Sequence, residues 1–302
     1  RTSVDKFRAQ RRGGKGIIGA CAQEEDPVEH LFVASTHAYL LFFTNKGKVY
    51  WQKVYGLPQL NRDRRGRAIV NLLNLDEDEK ITDCRAVRDF NLPGHFLLMA
   101  TRKGQVKKTA LDAYSRPKRG GIIAIKLRPD DELVDVVITK PGDELLLATV
   151  NGMAIRFNEA DARPMGRNAS GVRGIALAPD DELVGMVVAD PDAALLTACE
   201  NGYGKRTTFG NSTRLDAGVE PSSEEDEARA AAATEERSGS SRYRTQRRGG
   251  KGVRDIKTTR RNGKVIGIVR VDDDDEILMM TARGKIKRVA ANDIGIIWRN
   301  TQ

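Results

Sequence analysis

Cysteine is scarce: Cys21, Cys84 and Cys199 stand far apart in a chain of 302 residues and form no CxxC pair. An odd, scattered set excludes a disulfide framework and suits a reducing compartment. Long apolar runs are missing too. Nothing approaches the roughly 18 apolar residues of a membrane span, and no apolar signal-peptide core follows the basic N-terminus. The expectation is a cytoplasmic protein with no membrane partner. Histidine is limited to His30, His37 and His95, each isolated, and the chain holds neither HExxH nor a GxxxxGKS/T phosphate loop. No catalytic residue and no metal ligand set is therefore assigned. Aromatic residues make up 5% of the chain and cluster nowhere near its basic loops. That argues against the stacking platforms of single-strand binders and favours a duplex.

What the chain has is positive charge and repetition. Lys plus Arg is 51 against 42 Asp plus Glu, a net charge of +9. Residues 216–241 carry eight of those acids and two of the bases, so the remainder has 49 bases against 34 acids, or +15. A body that basic has the electrostatic footprint of a nucleic-acid binder. Segment 214–243, which contains this acidic run, is polar and flanked by Gly, Pro and Ser. It cannot bury enough surface to offset its ordering entropy, so it reads as a disordered insertion between repeats.

One hairpin recurs five times: "LLFFTNKGKVYW", "LLMATRKGQVKKT", "LLLATVNGMAIRF", "LLTACENGYGKRT" and "ILMMTARGKIKRV". Each turn ends in glycine (Gly47, Gly104, Gly152, Gly202, Gly284), the residue that takes positive φ in a tight hairpin. Between hairpins, "GGIIAIKLRPDDELVDVVIT" and "SGVRGIALAPDDELVGMVVA" are near copies, followed by the weaker "AIVNLLNLDEDEKITDCRAV". Each reads as strand, acidic turn, strand, with Asp130–Glu132 and Asp180–Glu182 as turn-formers rather than metal ligands. Four strands in roughly 50 residues is the length of a propeller blade. The fold class is all-β, built of four-stranded, propeller-like blades. "RTSVDKF" resembles "KTALDAY" and "IIWRNTQ" resembles "PMGRNAS", so the chain is expected to start and stop within a sixth, incomplete blade.

The heptapeptide QRRGGKG occurs twice, at 10–16 and 246–252, in the loop that leaves one hairpin for the next blade. Weaker versions occupy the same place: "RDRRGRA" with Arg64, Arg65 and Arg67, "RPKRGGI" with Lys118 and Arg119, and "GRNASGVRG" with Arg167 and Arg173. Cations spaced once per blade around one rim are what wrapping a long polyanion requires. Arg11, Arg12 and Lys15, with Arg247, Arg248 and Lys251, can neutralise phosphates, the arginines bidentately. Gly13, Gly14 and Gly16 let backbone approach closely and offer N–H groups for an anion nest. Gln10 and Gln246 can bond their own loop or a phosphate. Nothing here reads base edges, so sequence preference should be weak. "GKGIIG" matches the dinucleotide fingerprint in form, but no βαβ unit surrounds it and the second copy reads "GKGVRD".

These motifs, with "FFTNKGKVYWQKVYGLP", "RGRAIVNLLNLDEDEKIT" and "NGYGKRT", resemble the C-terminal DNA-wrapping domain of bacterial DNA gyrase A over nearly the whole chain except 214–243. The resemblance implies a single domain over 1–302, a six-bladed β-pinwheel with strands exchanged between neighbouring blades. It implies duplex DNA wrapped around the basic rim in a positive sense, with Gln10–Gly16 as the key wrapping element. It also implies partners: the rest of the gyrase A protein and the gyrase B protein, in an A2B2 enzyme that supercoils DNA negatively. ATP and Mg, and the catalytic tyrosine, belong to other domains or proteins of that enzyme, so this chain needs no cofactor. Two alternatives stay open. One is the related protein of topoisomerase IV, whose boxes are degenerate; the other is a propeller used as a protein-interaction platform.

Overall fold

The computed structural model of the chain describes residues 1–3, 17–18, 33–61, 66, 68–210, 242–280 and 285–301. Its regular structure consists of β-strands and short 3-10 turns; no helix among the described residues is long and apolar enough to cross a membrane.

Five hairpins carry the fold, and each is the apolar run and the basic strand of one repeat. They pair β2 (Tyr39–Thr44) with β3 (Lys48–Lys53), β5 (Phe96–Thr101) with β6 (Gln105–Ala110), and β9 (Glu144–Thr149) with β10 (Met153–Asn158). The last two pair β13 (Ala194–Cys199) with β14 (Gly204–Thr208) and β17 (Glu276–Met280) with β18 (Lys285–Ala290). Gly47, Gly104, Gly152 and Gly202 take φ of 75°, 75°, 82° and 79°, as tight turns between right-twisted strands require. Gly284 lies outside the described residues.

A longer strand flanks each of the first four hairpins on the side of its apolar run: β4 (Ile81–Val87), β8 (Leu133–Thr139), β12 (Leu183–Ala189) and β16 (Val265–Val271). These four pack against one another in sequence, so the sheets converge along that edge. On the opposite, diverging edge lie two-residue strands: β7 (Ile122–Ile123) on β3, β11 (Val172–Arg173) on β6 and β15 (Val253–Arg254) on β10. The result is a propeller-like stack of four sheets. A fifth sheet joins β17 and β18 to β1 (Ile17–Ile18), which brings the two ends of the chain into one ladder.

The four strands of a sheet do not come from one 50-residue repeat, as the sequence pattern suggests. Each short strand follows the next hairpin and is handed back to the previous sheet. Glycine makes the return possible: a Cβ on Gly171 would stand 2.5 Å from the Val106 carbonyl oxygen, and one on Gly252 2.4 Å from that of Ala154. Segment 68–87 departs in another way, opening with a 3-10 turn at Ile69–Asn71 instead of a strand. Its Ile69, Leu72 and Leu73 fold over Leu40, Phe42 and Tyr50 on the first sheet's outer face.

The core is layered between sheets. Leu97 and Met99 of β5 pack toward the first sheet with Leu41, Phe43 and Val49, while Leu98 and Ala100 pack toward the third with Leu145 and Leu147. Leu146 and Ala148 turn to the fourth with Leu195. Both faces of these strands are covered, which is why they read as unbroken apolar runs rather than alternating ones. Each fully buried leucine contributes about 2 kcal/mol.

The alternating basic residues of the second hairpin strands are also interior. Lys107, Lys108, Arg156, Lys205 and Arg206 are all at most 4% exposed. Lys108 pairs with Glu159, Arg156 with Glu144 at 2.5 Å, Lys205 with Asp255 at 3.2 Å and Arg206 with Asp273 at 2.6 Å. Part of the chain's positive charge therefore holds the fold together and is not presented to a partner. The acidic turns act as expected of turn-formers: Asp78, Asp130 and Asp180 adopt positive φ. Buried Asp131 accepts hydrogen bonds from Thr101 Oγ1 (2.6 Å) and the Lys103 N–H (2.9 Å) of its own hairpin.

Apart from Arg242 and Tyr243, segment 214–243 lies outside the described residues. Tyr243 is fully buried and donates to Asp255 at 2.6 Å, so it belongs to the fourth sheet's core rather than to an insertion.

Candidate nucleic-acid interface

The glycine-bearing loops sit where the sheets diverge, each just before its short strand. Successive loops touch. Lys126 N–H donates to Ala169 O (3.1 Å), Ala176 N–H to Gly250 O (2.8 Å) and Lys257 N–H to Thr301 O (3.1 Å). The loops thus form a continuous ledge along the diverging edge, from 116–126 through 166–176 and 246–257 to 295–301.

The second heptapeptide is the most fully described part of this ledge. Gln246 N–H donates to Arg156 O at 2.7 Å and Gly249 N–H to Gly174 O at 2.8 Å. The Gly249 N–H is thereby consumed inside the protein, where packing presses one rim loop onto the previous one. Gly13, Gly14 and Gly16, where an anion nest is expected, lie outside the described residues. Arg248, half-buried, donates from Nε to Asp161 O at 2.9 Å and from Nη1 to Arg173 O. It locks loop 246–252 to loop 166–174. Gln246 has its amide nitrogen buried without a partner.

Between those two loops opens a groove of about 420 Å³ lined by Gln105, Arg128, Arg173, Arg247, Arg248 and Gly249. Arg128, Arg173 and Arg247 are exposed, and none of the three is in an ion pair among the described residues. Three unpaired guanidinium groups around one concave surface attract an anion with several oxygens, and phosphate matches their fork. Lys251 is exposed beside the groove. Lys118 and Arg119 are exposed on the preceding loop and stand apart from it. Arg167 is half-buried, and its carbonyl accepts from buried Lys107 Nζ at 2.6 Å. Burial, with the Arg167 charge nearby, pulls Lys107 down to about 7. The first heptapeptide (Gln10, Arg11, Arg12, Gly13, Gly14, Lys15, Gly16) and Arg64, Arg65 and Arg67 lie outside the described residues.

Sequence alone does not single out Arg128 and Gln105. Arg128 stands beside an acidic turn, in "KLRPDDE", and looks like part of it. Only the return of β11 to β6 carries Arg173 to the neighbourhood of Gln105, and sequence spacing does not reveal that register.

A family model for the DNA gyrase C-terminal domain, beta-propeller, matches residues 1–35, 38–88, 95–140, 143–190, 237–272 and 275–302. The DNA gyrase A protein of Salmonella typhimurium is 44% identical over 296 residues, which are 98% of this chain and 30% of that protein. Its counterpart in Clostridium acetobutylicum is 45% identical over 300 residues, 99% of this chain and 32% of that protein. The chain thus spans about a third of the relatives it matches. Among solved structures, that of a DNA gyrase A C-terminal domain aligns with a TM-score of 0.74 at 24% identity, covering 99% of this chain and 88% of the other. The C-terminal domain of a DNA topoisomerase IV aligns with a TM-score of 0.68 at 28% identity, covering 88% and 74%. The chain belongs to the DNA gyrase C-terminal domain, beta-propeller family.

Proposed function

We propose that the ledge of rim loops binds duplex DNA and wraps it with positive handedness and little sequence preference. The observation that carries this is the groove where Arg128, Arg173 and Arg247 converge without counterions, on a ledge continued by neighbouring basic loops. Bending duplex around a disc costs about 1–6 kcal/mol, which several phosphate contacts offset. The contacts on this reading are Gln10 to Gly16, Arg64, Arg65, Arg67, Lys118, Arg119, Arg167, Arg173, Gln246, Arg247, Arg248 and Lys251, with Arg128 added. In six blades, the pairing of β1 with β18 supports a ring in which the two ends of the chain meet.

In the whole enzyme the domain would present wrapped DNA to strand passage for ATP-dependent negative supercoiling. Its partners there are the rest of the gyrase A protein and the gyrase B protein, as A2B2 in the cytoplasm. ATP, Mg and the catalytic tyrosine belong to other domains. The acidic run 216–241 follows the fourth hairpin and precedes the second heptapeptide in the chain, and it competes with DNA for Arg247, Arg248 and Lys251.

The test is binding of a linear duplex by wild type and by an R247A/K251A variant. Both side chains are exposed, so the fold should hold. A weakened, less salt-sensitive complex is expected; equal affinity and equal salt dependence would contradict the assignment.

A further inference from the structure

The turn that precedes the long strand is acidic in the first three sheets: "DEDE" at 76–79, "PDDE" at 129–132 and "PDDE" at 179–182. In the fourth sheet the same turn reads "KTTRRNGK", residues 257–264, with four cations and no acid. The reversal falls in the repeat that carries the second intact heptapeptide, five residues beyond its last glycine.

The backbone of this turn is held firmly. Asn262, 2% exposed, accepts from the Thr259 N–H at 2.7 Å and donates to Lys257 O at 2.9 Å. Asn201 Nδ2 donates to the carbonyls of Arg260 (3.2 Å) and Arg261 (3.1 Å). These bonds occupy the carbonyls of Lys257, Arg260 and Arg261 and leave their charged heads free of the turn's own backbone network. Lys257, Arg260, Arg261 and Lys264 are all exposed. None is in an ion pair among the described residues, although Glu200 accepts from the Lys264 N–H at 2.9 Å. Arg261 lies over the ring of Tyr203, 5.1 Å from its centroid, and donates to its hydroxyl at 3.3 Å. Tyr203 is itself 45% exposed. A guanidinium stacked on an exposed ring is ordered before any ligand arrives, which lowers the entropy lost on pairing with an anion.

We infer that the 257–264 turn is a second phosphate-contact site for duplex DNA, continuing the path of the backbone from the 246–252 loop off the rim and onto the adjoining face. Lys257 touches the ledge through Thr301, so the two surfaces are contiguous. The corresponding turns of the first three sheets carry acids in place of these cations, several of them paired with a lysine or arginine of the protein itself. The path therefore leaves the rim at this sheet and not at the others. The inference rests on the wrapping role proposed above.

Duplex binding is measured against salt for wild type, R247A/K251A and R260Q/R261Q. Each lost phosphate contact lowers the slope of log K against log salt by about 0.9. The turn variant should bind more weakly at low salt, with a slope reduced by about 1.8, twice that single-contact value. An R261K variant should keep the slope. If R247A/K251A weakens binding and R260Q/R261Q leaves affinity and slope unchanged, the turn is not a DNA contact and only this inference falls. If wild type itself binds no duplex, the wrapping role falls as well. Loss of affinity for polyglutamate without loss for duplex would overturn the assignment in favour of an acidic protein. Equal melting temperatures of the variants establish that the fold is intact.

Discussion

Lys107 is fully buried in β6, where its Nζ donates to the carbonyls of Ala124 and Arg167 and pairs with no carboxylate among the described residues. Its counterpart in the fourth hairpin, Lys205, has the Asp255 carboxylate as well. Burial lowers Lys107 to about 7, whereas an unfolded lysine titrates near 10.4. Between those values the unfolded chain binds more protons than the folded one. Stability from this group is therefore greatest above the unfolded value and is lost as pH falls toward 7. Asp135, raised by burial to about 7, titrates at the lower edge of that window. A thermal melt series from pH 7.5 to 10 should show wild type gaining on a Lys107→Met variant as pH rises. Parallel curves would mean that Lys107 stays charged throughout. At Gly252 the demand is steric. Its φ is 79° and an added Cβ would meet Ala154 O. Gly252→Ala should cost about 2 kcal/mol or more in urea unfolding, from strained φ and the displaced strand together.

Among the elements, β10 has the heaviest structural burden. Arg156 is 1% exposed and faces Glu144, and its Nη1 donates to Phe209 O at 2.9 Å, Gly210 O at 2.8 Å and Tyr243 O at 3.2 Å. One guanidinium thus clamps the chain on both sides of residues 211–241. Arg156→Leu should destabilise by about 3–5 kcal/mol, the usual cost of stranding a buried partner charge. By the same geometry, deleting 216–241 should leave the melting temperature nearly unchanged, because both anchors remain. If the acidic run competes with DNA, the deletion raises duplex affinity at low salt; unchanged affinity would make it a tolerated surface loop. The hairpins themselves are legible from their apolar runs and turn glycines. Their partners are not: β7, β11 and β15 are two residues long, and their return to the previous sheet depends on contacts 50 or more residues away.

At the scale of the whole molecule, the sequence announces a basic rim but overstates how much charge lies on it. Alternation of apolar and basic residues in the second hairpin strands looks like a solvent face. Yet Lys108 and Arg206 pair with carboxylates more than 50 residues away, Glu159 and Asp273, and Arg156 with Glu144 on the other strand of its own hairpin. The ledge is legible because its loops repeat; the groove is not, since Arg128 reaches it only through the packing of successive loops. Nor does the sequence pattern single out the basic 257–264 turn, whose meaning appears once it is placed beside its acidic equivalents.

Wrapping is the central claim, and topology measures it most directly. Nicked plasmid circles are ligated with increasing amounts of the domain, and the linking number is read after the protein is removed. A wrapping rim should give a positive shift that grows with protein, is lost in an R11A/R12A/K15A variant and is reduced in R247A/K251A. Tight binding with no shift in linking number would contradict wrapping, leaving a basic disc that holds DNA without coiling it.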